Sequence, residues 1–100
     1  MEIQFESGEK IIQSGWGSQG GDPGMLLLTS KRLIFLPRRA IAQNEIESIA
    51  FVEVDQVEKS NTLGIVPNSI QLLLKGGEKK QFSVSEREDW IEKISNLLGS

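Results

Sequence analysis

Short apolar runs bounded by turn-forming residues dominate the first part of the chain. Two of them, residues 25–29 and 32–37, meet at Ser30-Lys31, which predicts the paired strands of a hairpin. Both faces of these runs are apolar, so we expect the hairpin to lie in the middle of a sheet that is covered on both sides. Pro37 ends the second run, because proline cannot donate a hydrogen bond to a neighbouring strand.

Glycine and proline punctuate the chain on both sides of this hairpin. Residues 9–16, which contain two adjacent isoleucines, predict a first strand. Residues 17–24 contain five glycines and prolines and predict a mobile hairpin loop. Residues 61–69 contain glycine, proline and asparagine and predict a second loop.

Residues 70–74 and 81–84 alternate between apolar and polar side chains. Gly76-Gly77 lies between them, and two glycines are typical of a tight turn that needs positive φ. The pattern therefore predicts a second β-hairpin. Its alternation places Phe82 and Val84 in the core and the intervening polar side chains in water.

Residues 38–58 give a mixed signal. β-Branched residues favour a strand around residues 49–54, preceded by a loop or a short helical turn over residues 39–47. A weaker strand is predicted at residues 56–60. Helical spacing is an alternative here, because several apolar residues fall near it: Ile46, Ile49, Ala50 and Val57.

The last element is predicted to be an amphipathic helix from residue 86 to about residue 98. Ser85 and Glu88 have the spacing of a capping box, in which each satisfies a free backbone N–H at the start of the helix. Gly99 is a natural stop. One apolar stripe faces the sheet, formed by Trp90, Ile91, Ile94, Leu97 and Leu98.

Composition narrows the class of protein. One hundred residues predict a single domain over residues 1–100, and 38% hydrophobic with 25% charged residues is usual for a soluble globular fold. The sequence has no Cys, His or Tyr, which removes the common nucleophiles, general bases and metal ligands, so we expect no enzyme activity and no cofactor. A net charge of −3 argues against a nucleic-acid partner.

The first ten residues lack the apolar segment of a signal peptide. We therefore expect a cytoplasmic location, with a peripheral position at the inner face of the membrane as the alternative. Two carboxylate pairs, Glu45/Glu47 and Glu53/Asp55, would share one face of a strand and could suit a hard cation such as Ca²⁺. A solvated strand face is the favoured interpretation, and no metal site is predicted.

Four basic residues are candidate ligands for an anionic lipid headgroup: Lys31, Arg32, Arg38 and Arg39. About 23 Å of strand separates Lys31 from Arg38, so one shared pocket requires a sharp bend. Pairing of Arg32 with a carboxylate is the alternative.

Three apolar residues in predicted loops are candidate partner contacts: Trp16, Leu63 and Ile65. A tryptophan at the base of a loop can anchor a partner. More often it folds back onto the core, and this is the favoured interpretation for Trp16. For Leu63 and Ile65, packing in the core or in a hairpin is the favoured interpretation.

The motif TSKRLIFLP, residues 29–37, resembles the LTxxRLxF hairpin of GRAM and bacterial pleckstrin-homology-like domains. Residues 61–94 resemble the second half of these domains, with a strand pair, a glycine turn and a helix that starts near a tryptophan. The order matches over about residues 8–98. This resemblance implies a bent antiparallel sandwich or partly open barrel of about seven strands, capped by one C-terminal helix.

The resemblance also implies a non-catalytic binding module for phosphoinositide-type lipids or for proteins. Lipid-binding relatives usually carry Lys or Arg in the first strand pair and its loop, whereas residues 17–24 contain Asp22 and no base. Protein contact, or self-association along a sheet edge, is therefore the preferred function. Binding of anionic lipid through Lys31, Arg38 and Arg39, aided by Trp16, is the alternative.

Overall fold

A computed structural model describes residues 4–38, 46–62 and 66–99. In these residues, seven antiparallel strands form one sheet in the order β4-β3-β2-β1-β7-β6-β5, followed by a helix, as the family resemblance implied. The elements are β1 (Ile11–Gln19), β2 (Asp22–Thr29), β3 (Arg32–Pro37), β4 (Glu47–Ala50), a 3₁₀ turn (Phe51–Glu53), β5 (Val54–Thr62), β6 (Val66–Leu74), β7 (Lys79–Val84) and α1 (Arg87–Leu98).

The sheet bends at β1, which belongs to both halves. β1 pairs with β2 along most of its length, but it pairs with β7 only through Gly17 and Ser18. A Cβ atom on Gly17 would lie 2.5 Å from the carbonyl oxygen of Ser83, so only glycine lets the two strands approach here. Beyond this short contact, β1–β4 and β5–β7 separate and enclose the core.

Alternate residues of the strands fill the space between the two halves. The rings of Phe35 on β3 and Phe82 on β7 meet across it with centroids 5.8 Å apart. Leu27 and Ile34 on the opposite face of the β2–β3 hairpin are buried as well, which confirms the hairpin predicted to be covered on both sides. The core cluster contains Leu26, Leu28, Leu33, Phe35, Ile49, Val54, Ile70, Leu72, Phe82, Val84, Trp90 and Ile94.

The C-terminal helix supplies the last part of the core. Trp90 and Ile94 are buried, and the ring of Trp90 packs against β1, where a Cβ on Gly15 would lie 3.1 Å from it. Outside the core, the Lys93 ammonium donates to the side-chain oxygen of Gln13 on β1. The predicted apolar stripe is thus the surface by which the helix closes the sandwich.

The predicted capping box is wrong. The N-cap is Glu86, one residue later than predicted, and it adopts a left-handed conformation with φ 55° and no side-chain cap. The carboxylate of Glu88 accepts a hydrogen bond from its own backbone N–H, which lowers its pKa, with Lys59 adding a smaller effect. Because β7 ends at Val84, the chain turns sharply into the helix, and Ser85 lies outside the first turn.

The predicted mobile loop at residues 17–24 is also wrong. β1 continues to Gln19 and β2 begins at Asp22, and only Gly20-Gly21 forms the turn. Both glycines have positive φ, 58° and 89°, which allows a two-residue hairpin connection. Gly17 and Gly24, which were predicted to lie in the loop, instead lie inside paired strands, where they allow close approach of the neighbouring backbone.

The middle of the chain differs from the prediction in its boundaries. The strand expected at residues 49–54 is split into the end of β4, the 3₁₀ turn and the start of β5. β5 and β6 extend into the loop predicted at residues 61–69, and residues 63–65 lie outside the described part. The second predicted hairpin is confirmed: Gly77 has φ 96° in its turn, and Phe82 and Val84 are buried.

Candidate functional site

An apolar row crosses the outer face of the first half of the sheet. Trp16 on β1 pairs with Met25 on β2, which pairs with Leu36 on β3. The tryptophan is 68% exposed, whereas Met25 and Leu36 are half-buried. The favoured interpretation, in which Trp16 folds back onto the core, is therefore wrong, because Trp16 alternates with Gly15 and Gly17 along β1 and lies on the outer face.

A groove of about 510 Å³ runs from Trp16 toward the start of the helix. Three parts of the chain line it: the end of β1 at residues 16–18, Asn68 at the start of β6, and residues 83–87 where β7 passes into α1. Its lining includes one aromatic residue, Trp16, three serines at positions 18, 83 and 85, and the charged residues Glu86 and Arg87. This volume is within the range of pockets that hold small ligands or short peptide segments.

Arg87 is held in place by other parts of the molecule. Its Nη1 donates to the carbonyl oxygen of Ser60 at 2.6 Å and to Oδ1 of Asn61 at 3.4 Å, and its Nε lies 3.8 Å from Glu88. The guanidinium therefore ties the start of the helix to β5. Its charge is already partly compensated before any ligand arrives.

Among the predicted basic residues, Arg32 is the most completely engaged. Its Nε donates to Glu9 Oε2 at 2.8 Å and its Nη2 to Glu9 Oε1 at 3.1 Å, and Nη2 also donates to the Gln4 carbonyl at 2.6 Å. The Glu9 side chain is 0% exposed and accepts further hydrogen bonds from the Thr29 hydroxyl at 2.5 Å and the Glu6 N–H at 2.9 Å. Arg32 thus pairs with a carboxylate, as the alternative interpretation held.

These hydrogen bonds change the acidity of Glu9. The hydrogen bond from Arg32 is the largest cause that lowers its pKa from 4.5 to about 2, and the Thr29 hydroxyl and the Glu6 N–H act in the same direction against burial. The Thr29 hydroxyl also accepts from the N–H groups of Lys31 and Arg32, which fixes the β2–β3 turn. The network anchors residues 4–9 on the outer face of the sheet.

The other basic candidates do not join this network into one pocket. Lys31, at the β2–β3 turn, lies 3.6 Å from Glu6 and donates to the Ser7 carbonyl. Arg38 lies at the other end of β3, is exposed, and its backbone N–H donates to the Pro23 carbonyl at 2.8 Å. Arg39 lies outside the described residues, as do Leu63 and Ile65.

A polar cluster links both halves of the sandwich near the ends of β1 and β4. Lys80 Nζ on β7 lies 2.9 Å from Glu47 Oε2 on β4, and Gln19 on β1 donates to Glu47 Oε1 at 2.5 Å. The hydrogen bond from Lys80 to Glu47 is the main cause that raises the lysine pKa. The charge of Lys80 is compensated inside the fold.

A second cavity, of about 520 Å³, lies between the β2–β3 turn, the 3₁₀ turn and the C-terminal end of α1. Lys31 and Lys75 line it, but Glu6 and Asp55 line it as well, so its charges balance. An anionic headgroup would gain no net attraction from these four side chains.

The carboxylate pairs do not form a cation site in the described residues. Glu45 lies outside them, and Glu53 and Asp55 fall on two different elements, the 3₁₀ turn and β5, rather than on one strand face. Over residues 4–38, 46–62 and 66–99, no group of three or more acidic side chains could hold a metal ion. Within the same residues, no helix is long and apolar enough to cross a membrane.

Two features of this surface had no signal in the sequence analysis. Glu9 meets Arg32 from a distant segment, and neither residue belongs to a motif that predicts the other. The groove combines β1 with residues 83–87, which come together only through the β1–β7 pairing. The spacing of tryptophan and glycine along β1 could have indicated an outward Trp16, because Gly15 and Gly17 occupy the inward positions.

Comparison with known proteins gives one family and several related folds. Residues 5–98 match the family model described as Bacterial PH domain. No curated protein matches the sequence. Among solved structures, the C-terminal domain of an unknown protein from Leishmania infantum has a TM-score of 0.75 at 19% identity, covering 94% of this chain and 88% of that chain.

Two further structures have the same fold. The Vps36 N-terminal PH domain has a TM-score of 0.72 at 20% identity, covering 96% of this chain and 83% of that chain. The Slm1 PH domain in complex with phosphoserine has a TM-score of 0.66 at 19% identity, covering 90% of this chain and 97% of that chain. At these identities the likeness concerns the fold alone.

Proposed function

Because this chain belongs to the bacterial PH domain family, we propose that it is a non-catalytic binding module that contacts a protein partner through the surface around Trp16. The observation that carries the proposal is the exposure of Trp16 beside a groove and in an apolar row with Met25 and Leu36. An exposed aromatic residue at the centre of such a surface is the usual anchor of a protein interface.

The charge distribution supports a protein partner over an anionic membrane. Six basic residues of the described surface lie within ion-pair distance of a carboxylate, and the net charge of the chain is −3. Bilayer attraction needs clustered, uncompensated lysines or arginines near the surface. The carboxylate-paired cations are Lys31, Arg32, Lys59, Lys80, Arg87 and Lys93.

Anionic lipid is the second candidate ligand, favoured by one observation. Arg38 is exposed, and its backbone bonds to Pro23, which pairs with Ser18 two residues from Trp16. An arginine near an exposed tryptophan suits a membrane interface, with Arg39 as the next residue in the chain. In that case the domain would be peripheral to the membrane.

Co-sedimentation with vesicles separates these candidates. We expect no binding to phosphatidylcholine vesicles with or without phosphatidylserine at physiological salt. Binding to the anionic vesicles alone, lost at high salt and in Arg38→Glu, would replace the protein proposal with the lipid one. The solution mass of the free domain tests whether the protein partner is a second copy of the chain.

A pull-down with the immobilised domain then tests whether the surface around Trp16 binds a protein. We expect proteins captured from a cytosolic extract to be lost with Trp16→Ser and retained with Val52→Ser, a matched exposed apolar residue that is 78% exposed on the 3₁₀ turn. If Trp16→Ser captures the same proteins as the unchanged domain, the proposed binding surface is wrong.

A further inference from the structure

We infer that the open edge of β5 binds an extended basic segment of another protein, which adds to the sheet as an additional strand. β7 and β6 separate this edge from β1 and Trp16, so the inference goes beyond the proposed function. Three observations lead to it: the direction of the backbone groups along β5, the charges beside them, and the charges that a second copy of the chain would bring.

β5 is an edge strand whose backbone groups can be assigned to one side or the other. Among the described residues, β5 pairs with β6 on one side and with no strand on the other. The Ser60 carbonyl oxygen accepts from Arg87 at 2.6 Å, so it points away from β6. In an antiparallel ladder both backbone groups of a residue point to the same side, and residues two apart share that side. Because the register is regular from Gln56 to Ser60, the N–H and C=O groups of Gln56 and Glu58 also point away from β6.

These backbone groups favour a strand as the bound element. Arg87 bonds the edge at Ser60, at one end of the regular stretch, whereas Gln56 at the other end is exposed. Strand addition supplies backbone hydrogen bonds to such an edge. A helix cannot supply them, because its own backbone groups are already paired inside it.

Uncompensated carboxylates lie along the same edge. Among the described residues, no Lys or Arg lies within ion-pair distance of Glu53, Asp55 or Glu58. The hydrogen bonds that Glu58 accepts from two glutamine amides leave its charge in place. The neighbouring cation, Lys59, is paired with Glu88 on α1 at 3.5 Å. The edge therefore attracts a segment of positive charge.

The same charges disfavour a second copy of the chain as the occupant. Two β5 edges brought together would place the carboxylates of one copy beside those of the other, and like charges on neighbouring strands destabilise their pairing. A segment that alternates basic and apolar residues fits both faces of the edge. Its cations lie beside Glu58, and its apolar side chains lie on the face of Val57, which packs against the core.

The test is an NMR titration of the ¹⁵N-labelled domain with the end-blocked peptide Lys-Val-Lys-Val-Lys-Val. We expect shifts in the amides of residues 55–60 and weaker binding as the salt concentration rises. The peptide Glu-Val-Glu-Val-Glu-Val has the wrong charge and should not bind. A backbone N-methyl group on the middle lysine keeps the charge but removes one N–H that faces β5, and it should weaken the binding at least tenfold.

Variants of the domain test the charges of the edge. The double variant Asp55→Asn/Glu58→Gln should weaken the binding of the basic peptide roughly fivefold, because it removes two opposite-charge contacts between strands. Asp22→Asn makes the same kind of change at an exposed position of the β1–β2 hairpin and should leave the binding unchanged. Trp16→Ser should leave it unchanged as well.

The outcomes separate this inference from the proposed function. It is overturned if the basic peptide shifts no amide of residues 55–60, or if the N-methylated peptide binds equally well, which would mean charge attraction without strand addition. Shifts of these amides that depend on the concentration of the domain alone would assign the edge to a second copy and overturn it too. Because Trp16→Ser leaves β5 intact, failure of the Trp16 surface and failure of the β5 edge are measured independently.

Discussion

The two tryptophans of this chain lie in opposite surroundings although both are near β1. Trp90 is 4% exposed and packs from the helix against Gly15, whereas Trp16, the next residue along β1, is 68% exposed on the other face. β1 carries no side chain at Gly15 or Gly17, so the helix supplies the bulk that the strand lacks. The indole of Trp16 is thereby left for the surface. The same residue type therefore stabilises the core at one position and is exposed to solvent at the other.

Replacing Trp90 with Ala should produce the largest effect. Removing a buried indole costs about 3–5 kcal/mol, which is a large part of the stability of a small domain. Urea unfolding should show this loss, with Trp16→Ala as the matched control. A melting temperature within a few degrees of wild type would mean that the helix does not close the core.

The second-largest effect is expected for Glu9→Gln. Unlike Trp16, the Glu9 side chain is buried, and it pairs with Arg32 on the outer face of the sheet. The change leaves Arg32 without its carboxylate, and hydrogen bonds to charged groups contribute about 1.5–3 kcal/mol. Urea unfolding should show a loss in this range. The double variant Glu9→Gln/Arg32→Gln should lose less than the sum of the single changes, since the two residues interact directly. Strict additivity would contradict the pairing.

Acidification tests the same carboxylate without mutation. The pKa of Glu9 is lowered to about 2 in the folded state, so its contribution to stability is complete above the unperturbed value of 4.5 and is lost as the pH falls toward 2. Stability measured from pH 6 to pH 2 should therefore fall, and it should fall less steeply in Glu9→Gln. Equal slopes in both proteins would assign the acid sensitivity to other carboxylates.

Trp16→Ser should have the smallest effect on stability, within about 0.5 kcal/mol, because the side chain is mostly exposed. In a Trp90→Phe background, acrylamide should quench the Trp16 fluorescence nearly as well as that of free tryptophan. Weak quenching, or a large loss of stability in Trp16→Ser, would mean that the indole is covered in solution and would remove the contrast between the two tryptophans.

Regular patterns predicted most of the fold. Each confirmed element has a regular pattern of apolar side chains along the chain, and the tertiary structure keeps the element that the pattern predicted. Examples are the apolar runs of β2 and β3, the alternation at Phe82 and Val84, and the helical stripe through Trp90 and Ile94. The resemblance to pleckstrin-homology-like domains added the strand number and the closure by the helix.

The wrong predictions concern residue types that occur in two structural roles: glycine in turns and in closely packed strands, and serine as a helix cap and in turns. Gly17 and Gly24 were interpreted as breakers of secondary structure, but they lie inside paired strands and permit close approach of neighbouring backbone. Ser85 is a residue type that commonly caps helices, but the turn that follows β7 places Glu86 at the N-cap position. Local composition does not distinguish these uses, because tertiary contacts decide between them.

The candidate site was predicted only in part. Trp16 was named, but its groove depends on residues 83–87, far along the chain. The basic cluster was named from its sequence, yet Lys31 and Arg32 are bound to Glu6 and Glu9, two carboxylates about which spacing gave no information. Long-range ion pairs of this kind become visible only when the topology is known.

The pairing of Gly17 and Ser18 with Val84 and Ser83 joins β1 and β7, the first and last strands along the described chain, in the middle of the sheet. During synthesis, β1 leaves the ribosome long before β7 exists, and the contact between them forms only after residues 83–84 have been made. The groove that starts at Trp16 consequently cannot form in a chain that stops before residue 83. A partner that recognises the groove would bind only chains that extend beyond residue 83.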